Sequence, residues 1–195
     1  MKGLPRVVAL GDYGRDQGLR EVVLALKHRR RPDLAVPLGR ALARRMERVL
    51  AERGTGSGRG VLVPIPLHPW RRFERGCDQA ALLAESMGAE LGWELARLVR
   101  RSEPTLPQGS AGVRSRRANV AGAFRLSERA RRRAGGPRPV WLVDDVLTSG
   151  STVRAVARIL RGGGFEVDGV AVLARAASVR SPGDVGATIS DPRSD

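Results

Sequence analysis

The chain has 195 residues, of which 42% are hydrophobic, enough for one domain with a core and too apolar for wholesale disorder. Basic side chains outnumber acidic ones 35 to 20, a formal net charge of +15, and all the basic ones except Lys2 and Lys27 are arginines. No stretch approaches about 18 consecutive apolar residues, which excludes a hydrophobic membrane span, and the single cysteine, Cys77, excludes an internal disulfide and a CxxC-type zinc module.

Along the chain, the apolar run 7–10 closes at Gly11-Asp12 and predicts a short strand and turn. Leu19, Val22, Val23 and Leu26 recur at helical spacing, predicting a helix over 19–30 that Pro32 stops. Leu38, Leu42, Met46, Val49 and Leu50 predict a second helix over 38–53, and the glycines of 54–60 a connector. Residues 61–63 read as a buried strand, and a helix over 79–87 has Gly88 as its cap. A weaker strand covers 95–99. Residues 101–118 are rich in Ser, Pro, Gly and Arg without periodicity, which predicts a long irregular loop of the mobile or functional kind. A short strand over 123–126 and a charged connector over 129–139 lead to 140–143, the strongest strand pattern in the chain. A helix then runs to about residue 160, and a last strand covers 170–173. The expected organisation is one domain over 1–177, with 1–60 as a helical or hood-like subregion and 178–195 as a flexible tail. Strand–loop–helix–strand order in the last third predicts a βαβ unit, whose ligands sit at the carboxyl ends of the strands.

The charge fits either a nucleic-acid binder or a composition that simply favours arginine, since the arginines are spread over the whole length rather than gathered in one stripe. Either way, weak non-specific nucleic-acid binding is expected, roughly 10⁻⁴–10⁻⁶ M at physiological salt. The opening residues lack the apolar core of a signal peptide, and with one cysteine the expected location is the cytoplasm, with no membrane partner and no structural zinc. Two histidines, His28 and His68, are too few for a histidine-based metal cluster. The expected metal is Mg²⁺, held on carboxylates, water and substrate oxygens.

Chemistry concentrates after residue 143. Asp144 and Asp145 directly follow four apolar residues, and two carboxylates at the mouth of a buried strand repel each other unless a cation or several donors compensate. Sugar hydroxyls and a hydrated Mg²⁺ would both do so; the plain alternative is a solvated turn. Thr148, Ser149, Gly150, Ser151 and Thr152 then run into a helix, offering a phosphate both hydroxyls and the N–H groups of a helix start. An acid pair with such a loop four residues on suits a ribose ring carrying a 5′-phosphate.

The run from Val140 to Gly150 resembles the ribose-phosphate signature of the type I phosphoribosyltransferases. Over roughly residues 9–175 the chain is similar to the ComF/GntX family of phosphoribosyltransferase-like proteins. The likeness is carried by Tyr13 through Leu26-Lys27, by the block from Val63 to His68 with Arg71, Arg72, Arg75-Gly76 and Gln79, and by Thr105, Gln108, Arg116, Asn119 and Gly122-Ala123-Phe124. The resemblance implies an α/β fold with a mainly parallel central sheet flanked by helices, and a Mg²⁺-dependent site for phosphoribosyl diphosphate. In that site Asp144 and Asp145 would hold the ribose hydroxyls and Mg²⁺, directly or through water, and Thr148 to Thr152 would cradle the 5′-phosphate. Pro64, Ile65, Pro66 and Leu67 would approach the pyrophosphate, with Arg71, Arg72 or Arg75 neutralising it. The segment holding Arg101, Thr105, Gln108, Arg116 and Asn119 would be a mobile cover. Phosphoribosyl transfer to an acceptor is the implied activity. The implied alternative is a non-catalytic accessory of competence and DNA uptake, working beside a DNA-translocating ATPase. The chain departs from the family where Gly76-Cys77-Asp78-Gln79 stands for Gly-Phe-Asn-Gln, and where Ser149 replaces a threonine.

Overall fold

The computed structural model describes residues 4–28, 31–52, 54, 59–67, 76–101, 122–133 and 138–176. Strand β1 (Arg6–Asp12) is followed by helix α1 (Gln17–His28), which starts where the Asp16 carboxylate accepts the Leu19 N–H at 2.8 Å. A single 3₁₀ turn (Pro32–Leu34) leads into α2 (Ala35–Ala51). Strand β2 (Val61–Pro64) precedes α3 (Gln79–Leu91), whose N-cap is Asp78, accepting the Ala81 N–H at 3.2 Å. The cap at the far end is Gly92, at φ +64°, not Gly88. Gly88 lies inside the helix, where a Cβ would come 3.0 Å from the Trp93 carbonyl, so it serves close packing of the returning chain.

The apolar stretch 95–99 divides between two sheets. Strand β3 (Glu94–Leu95) pairs with β2, and Ala96 still donates to the Leu62 carbonyl at 2.9 Å. Leu98 N–H then turns back onto the Ala96 carbonyl at 3.0 Å, and β4 (Val99–Arg101) pairs antiparallel with β5 (Phe124–Leu126). Part of the expected charged connector is a short helix, α4 (Glu128–Arg133). Strand β6 (Val140–Leu147) is twice the expected length and runs through the acid pair, because Asp144, Val146 and Leu147 keep their pairing with Val172, Ala174 and Arg175. Helix α5 (Ser151–Gly162) and strand β7 (Val167–Arg175) complete the chain.

The expected parallel α/β architecture is observed. Five strands form one all-parallel sheet in the order β1-β7-β6-β2-β3, so the strongest apolar strand sits at its centre. On one face Val23, Leu26, Leu42, Met46, Leu83 and Met87 of α1–α3 pack on Trp141, Val143, Ala171 and Leu173. On the other, Val153, Val156 and Leu160 of α5, with Phe124 of β5, pack on Val140, Leu142, Val170 and Val172. Strand β1 and helices α1 and α2 thus add an edge strand and two helices to this same core. Trp141 is fully buried against Gly169, where a Cβ would lie 2.2 Å from the indole ring. Among the described residues no helix is long and apolar enough to cross a membrane. Residues 178–195 lie outside the described part.

Candidate functional site

The chain leaves β2 towards α3 on one face of the sheet and leaves the neighbouring β6 towards α5 on the other. Adjacent strands whose connections part in this way open a crevice at their carboxyl ends, the place where open parallel sheets take ligands. Asp144 and Asp145 lie at that end of β6. Across from them the Ile65 N–H donates to the Val143 carbonyl at 2.9 Å, which carries the β2 pairing one residue past Pro64 and sets Pro64 to Leu67 beside the acid pair's strand.

The two carboxylates are in different surroundings. Asp145 is buried and forms an ion pair with Lys27 of α1, Nζ to Oδ1 at 3.2 Å, with side chains only 18% and 12% exposed for Lys27 and Asp145. Asp144 accepts the Asp145 backbone N–H at 2.8 Å. Burial, and then the Asp145 charge, push the Asp144 carboxyl up to about 8. Asp78, the N-cap of α3, pushes in the same direction, while the hydrogen bond from Asp145 and the field of Lys27 pull it down. At neutral pH the Asp144 carboxyl therefore keeps its proton.

Beyond β6 the chain turns through exposed Thr148 and Ser149 to buried Gly150, at φ +71°. Only glycine takes this conformation freely, and a Cβ here would also come 2.9 Å from Leu4. Gly150 is the N-cap of α5 and has no side chain to cap it, and the first helical N–H, that of Ser151, donates to the Ser149 hydroxyl at 3.4 Å. Ser149 and Ser151 hydroxyls lie 3.0 Å apart, and Arg154 donates to the Ser149 carbonyl at 2.8 Å, placing a guanidinium at the turn. Thr152 is in the first turn of the helix.

The structure thus brings together Asp144, Asp145, the Thr148–Thr152 turn and the Pro64–Leu67 segment. Arg101 is not part of an irregular loop: it ends β4, pairs with Phe124 and sets its guanidinium 5.2 Å from that ring. Arg71, Arg72, Arg75, Thr105, Gln108, Arg116 and Asn119 lie outside the described residues, as do His68 and Trp70. Lys27, Asp78 and Arg154 had no role assigned from sequence, and all three carry charge to the site. Lys27 had a signal, being one of two lysines in a chain that otherwise uses arginine.

For Mg²⁺ the donor set is two adjacent carboxylates, and a cation beside Asp144 would offset the repulsion that raises it. Among the described residues no group of three or more His, Cys, Asp or Glu side chains could hold a metal by itself. The residues fit a metal that completes its shell with ligand oxygens and water.

Over 158 residues the chain is 34% identical to the DNA utilization protein YhgH of Salmonella typhi, covering 80% of this chain and 65% of that protein. Over 116 residues it is 36% identical to competence protein F of Haemophilus influenzae, covering 59% and 50% respectively. The chain is a ComF/YhgH homologue. It spans between half and two thirds of the length of these relatives. No family model matches. Among solved structures, adenine phosphoribosyltransferase is similar over 77% of this chain and 75% of that one, with a TM-score of 0.48 and 14% identity. The glutamine phosphoribosylpyrophosphate amidotransferase from B. subtilis is similar over 77% and 30%, with a TM-score of 0.45 and 18% identity. The ComF/YhgH homology covers both ends of the site, since its 158-residue span takes in four fifths of the chain.

Proposed function

We propose that this domain binds phosphoribosyl diphosphate together with Mg²⁺ and transfers the phosphoribosyl group to a nucleophilic acceptor. One observation carries the reading: an acid pair near the end of the central parallel strand, followed five residues after Asp145 by a glycine-capped helix start rich in hydroxyls. Asp144 and Asp145 accept hydrogen bonds from the ribose hydroxyls, which fixes the ring over the carboxyl end of β6. The turn from Thr148 to Thr152 takes the 5′-phosphate on its hydroxyls and the first N–H groups of α5, with the Arg154 charge nearby. Pro64 to Leu67 faces the pyrophosphate, and Arg71, Arg72 or Arg75 balances its charge. Asp144 and Asp145 would hold Mg²⁺, directly or through water, and the ion would supply positive charge to offset that of the leaving pyrophosphate. In the transfer the bond from C1′ to pyrophosphate breaks and a bond from C1′ to the acceptor forms, and pyrophosphate leaves with the bonding electron pair.

The relatives' names, competence protein F and DNA utilization protein, favour a second reading, in which the domain is a ligand-binding accessory of DNA uptake rather than a transferase. Thermal unfolding tests what both share. Mg²⁺ with phosphoribosyl diphosphate raises the Tm of the wild type, and Asp144→Asn with Asp145→Asn removes that rise while the protein stays folded. An undiminished rise in the double variant refutes the site. Pyrophosphate release over a panel of purines, pyrimidines and amines separates the two readings. A transferase releases it faster with one acceptor than with the others, whereas an accessory module binds the ligand and releases none faster.

A further inference from the structure

The ion pair between Lys27 and Asp145 ties the first helix to the carboxylate pair, and the proposed ligand chemistry leaves it without a role. Lys27 lies in the last turn of α1, where the helix dipole favours a cation. Its preceding residue, Leu26, is fully buried, and the Leu26 carbonyl accepts the side-chain amide of buried Gln79 at 3.4 Å, which ties the end of α1 to the start of α3. The backbone that presents Lys27 is therefore anchored, while its four-carbon stem lets the ammonium move by rotamer changes alone. The residue type fits that task. In a chain whose other basic residues past Lys2 are all arginines, a lysine stands where the carboxylate must be both neutralised and released. A guanidinium fork would grip both carboxylate oxygens and let go less readily.

We propose that Lys27 is a positioning residue that closes Asp145 to free Mg²⁺, so that the metal enters only with an anionic sugar-phosphate able to draw the ammonium away. This deepens the phosphoribosyl diphosphate reading and rests on it. The ammonium and a divalent ion compete for one carboxylate, so each lowers the other's occupancy by the same factor. Mg²⁺ alone has only Asp144 and a covered Asp145, and the described residues supply no third carboxylate to complete a protein-only site. The phosphates of the ligand supply both the missing oxygens and a new partner for Lys27. Metal binding and ligand binding are then one event, and the acid pair is not held by free Mg²⁺ in an unproductive form.

The test is metal binding without ligand, read by calorimetry with Mg²⁺ and by the electron paramagnetic resonance of Mn²⁺. The wild type is expected to take up neither ion at the acid pair below millimolar concentrations. Lys27→Met is expected to gain metal-alone affinity at least about tenfold, within the usual range for coupled sites. Adding Asp145→Asn should abolish that gain, and Lys27→Arg should restore exclusion. A purely structural lysine would lower stability in Lys27→Met without creating a metal site. Tight metal-alone binding by the wild type that Asp145→Asn removes overturns the proposal, and this measurement does not depend on any Lys27 variant folding. So does a folded Lys27→Met that binds no metal while the wild type binds Mg²⁺ with phosphoribosyl diphosphate, and in that case the proposed function stands. If no protein binds the ligand with Mg²⁺, the proposed function fails instead, whatever the metal-alone result.

Discussion

Asp144→Asn should make the free protein more stable, and increasingly so as the pH rises. Below the ordinary carboxyl value of 3.8, Asp144 is protonated in both folded and unfolded chains and contributes nothing to the pH dependence. Between 3.8 and about 8 the unfolded chain gives up this proton while the folded protein keeps it, because burial and the Asp145 charge oppose ionisation. The unfolded state is favoured there by up to about 1.4 kcal/mol per pH unit, and above the folded value the penalty stays constant. Asparagine keeps the shape and can still accept the Asp145 N–H, but has no charge to bury. The stability gain of the variant should therefore grow by about 1–3 kcal/mol between pH 5 and pH 7, or about 3–8 °C of Tm for a domain of this size. Thermal unfolding followed by circular dichroism at pH 5, 6, 7 and 8, with a chelator present, measures it. The same variant should lose the Tm rise given by Mg²⁺ and phosphoribosyl diphosphate, so stability and binding move in opposite directions. A difference that is flat across this range, or an Asp144→Asn protein less stable than wild type at pH 8, would refute the argument that the half-buried Asp144 carboxyl destabilises the free protein.

The remaining predictions concern the frame of the site. Gly150→Val puts a β-branched side chain at φ +71° and against Leu4, costing about 1–3 kcal/mol in strain alone, and should abolish the ligand-induced Tm rise; retained ligand response in urea-stable protein would count against the phosphate turn. Trp141→Ala empties the largest fully buried side chain from the central strand and should cost about 3–5 kcal/mol in a urea titration.

Much of the fold was legible because its signals are local. Helical spacing located α1, α2, α3 and α5 to within a few residues, and unbroken apolar runs located β1, β2, β6 and β7. The misses have physical reasons. Strand β6 was read as ending at Val143 since Asp144 breaks the apolar run, yet strand length is decided by backbone pairing with β7, to which the side-chain pattern is blind. Gly88 and Gly92 are both reasonable caps by spacing, and only the left-handed backbone at Gly92 separates them. The segment 95–99 reads as one strand because the fold divides it with a backbone turn at Leu98, where no Gly or Pro marks the break. Helix α4 is charged on nearly every face and offers no periodicity, although Ser127, whose hydroxyl accepts the Ala130 N–H at 3.1 Å, is a legible start signal.

The site divides along the same line. The placement of Asp144 to Thr152 could be read directly, since the carboxylates and the hydroxyl-rich turn are close in sequence and their juxtaposition survives any fold that makes a strand followed by a helix. Lys27 and Asp78 are far from them in sequence and meet them only because α1 and α3 cover the same face of the sheet as the Asp145 side chain. Their effects on Asp144 are opposed, Lys27 lowering its carboxyl and Asp78 raising it, so the charge of the pair is set by two helices rather than by the strand that carries it. A substitution at the end of α1 or the start of α3 therefore reaches the acid pair, the proposed ribose end, through its charge, whereas the proposed phosphate turn, with Gly150 at φ +71° and Arg154 on the Ser149 carbonyl, depends on its own backbone. Loss of ligand binding should accordingly separate into charge-dependent variants at Lys27, Asp78 and Asp145, and conformation-dependent variants at Gly150.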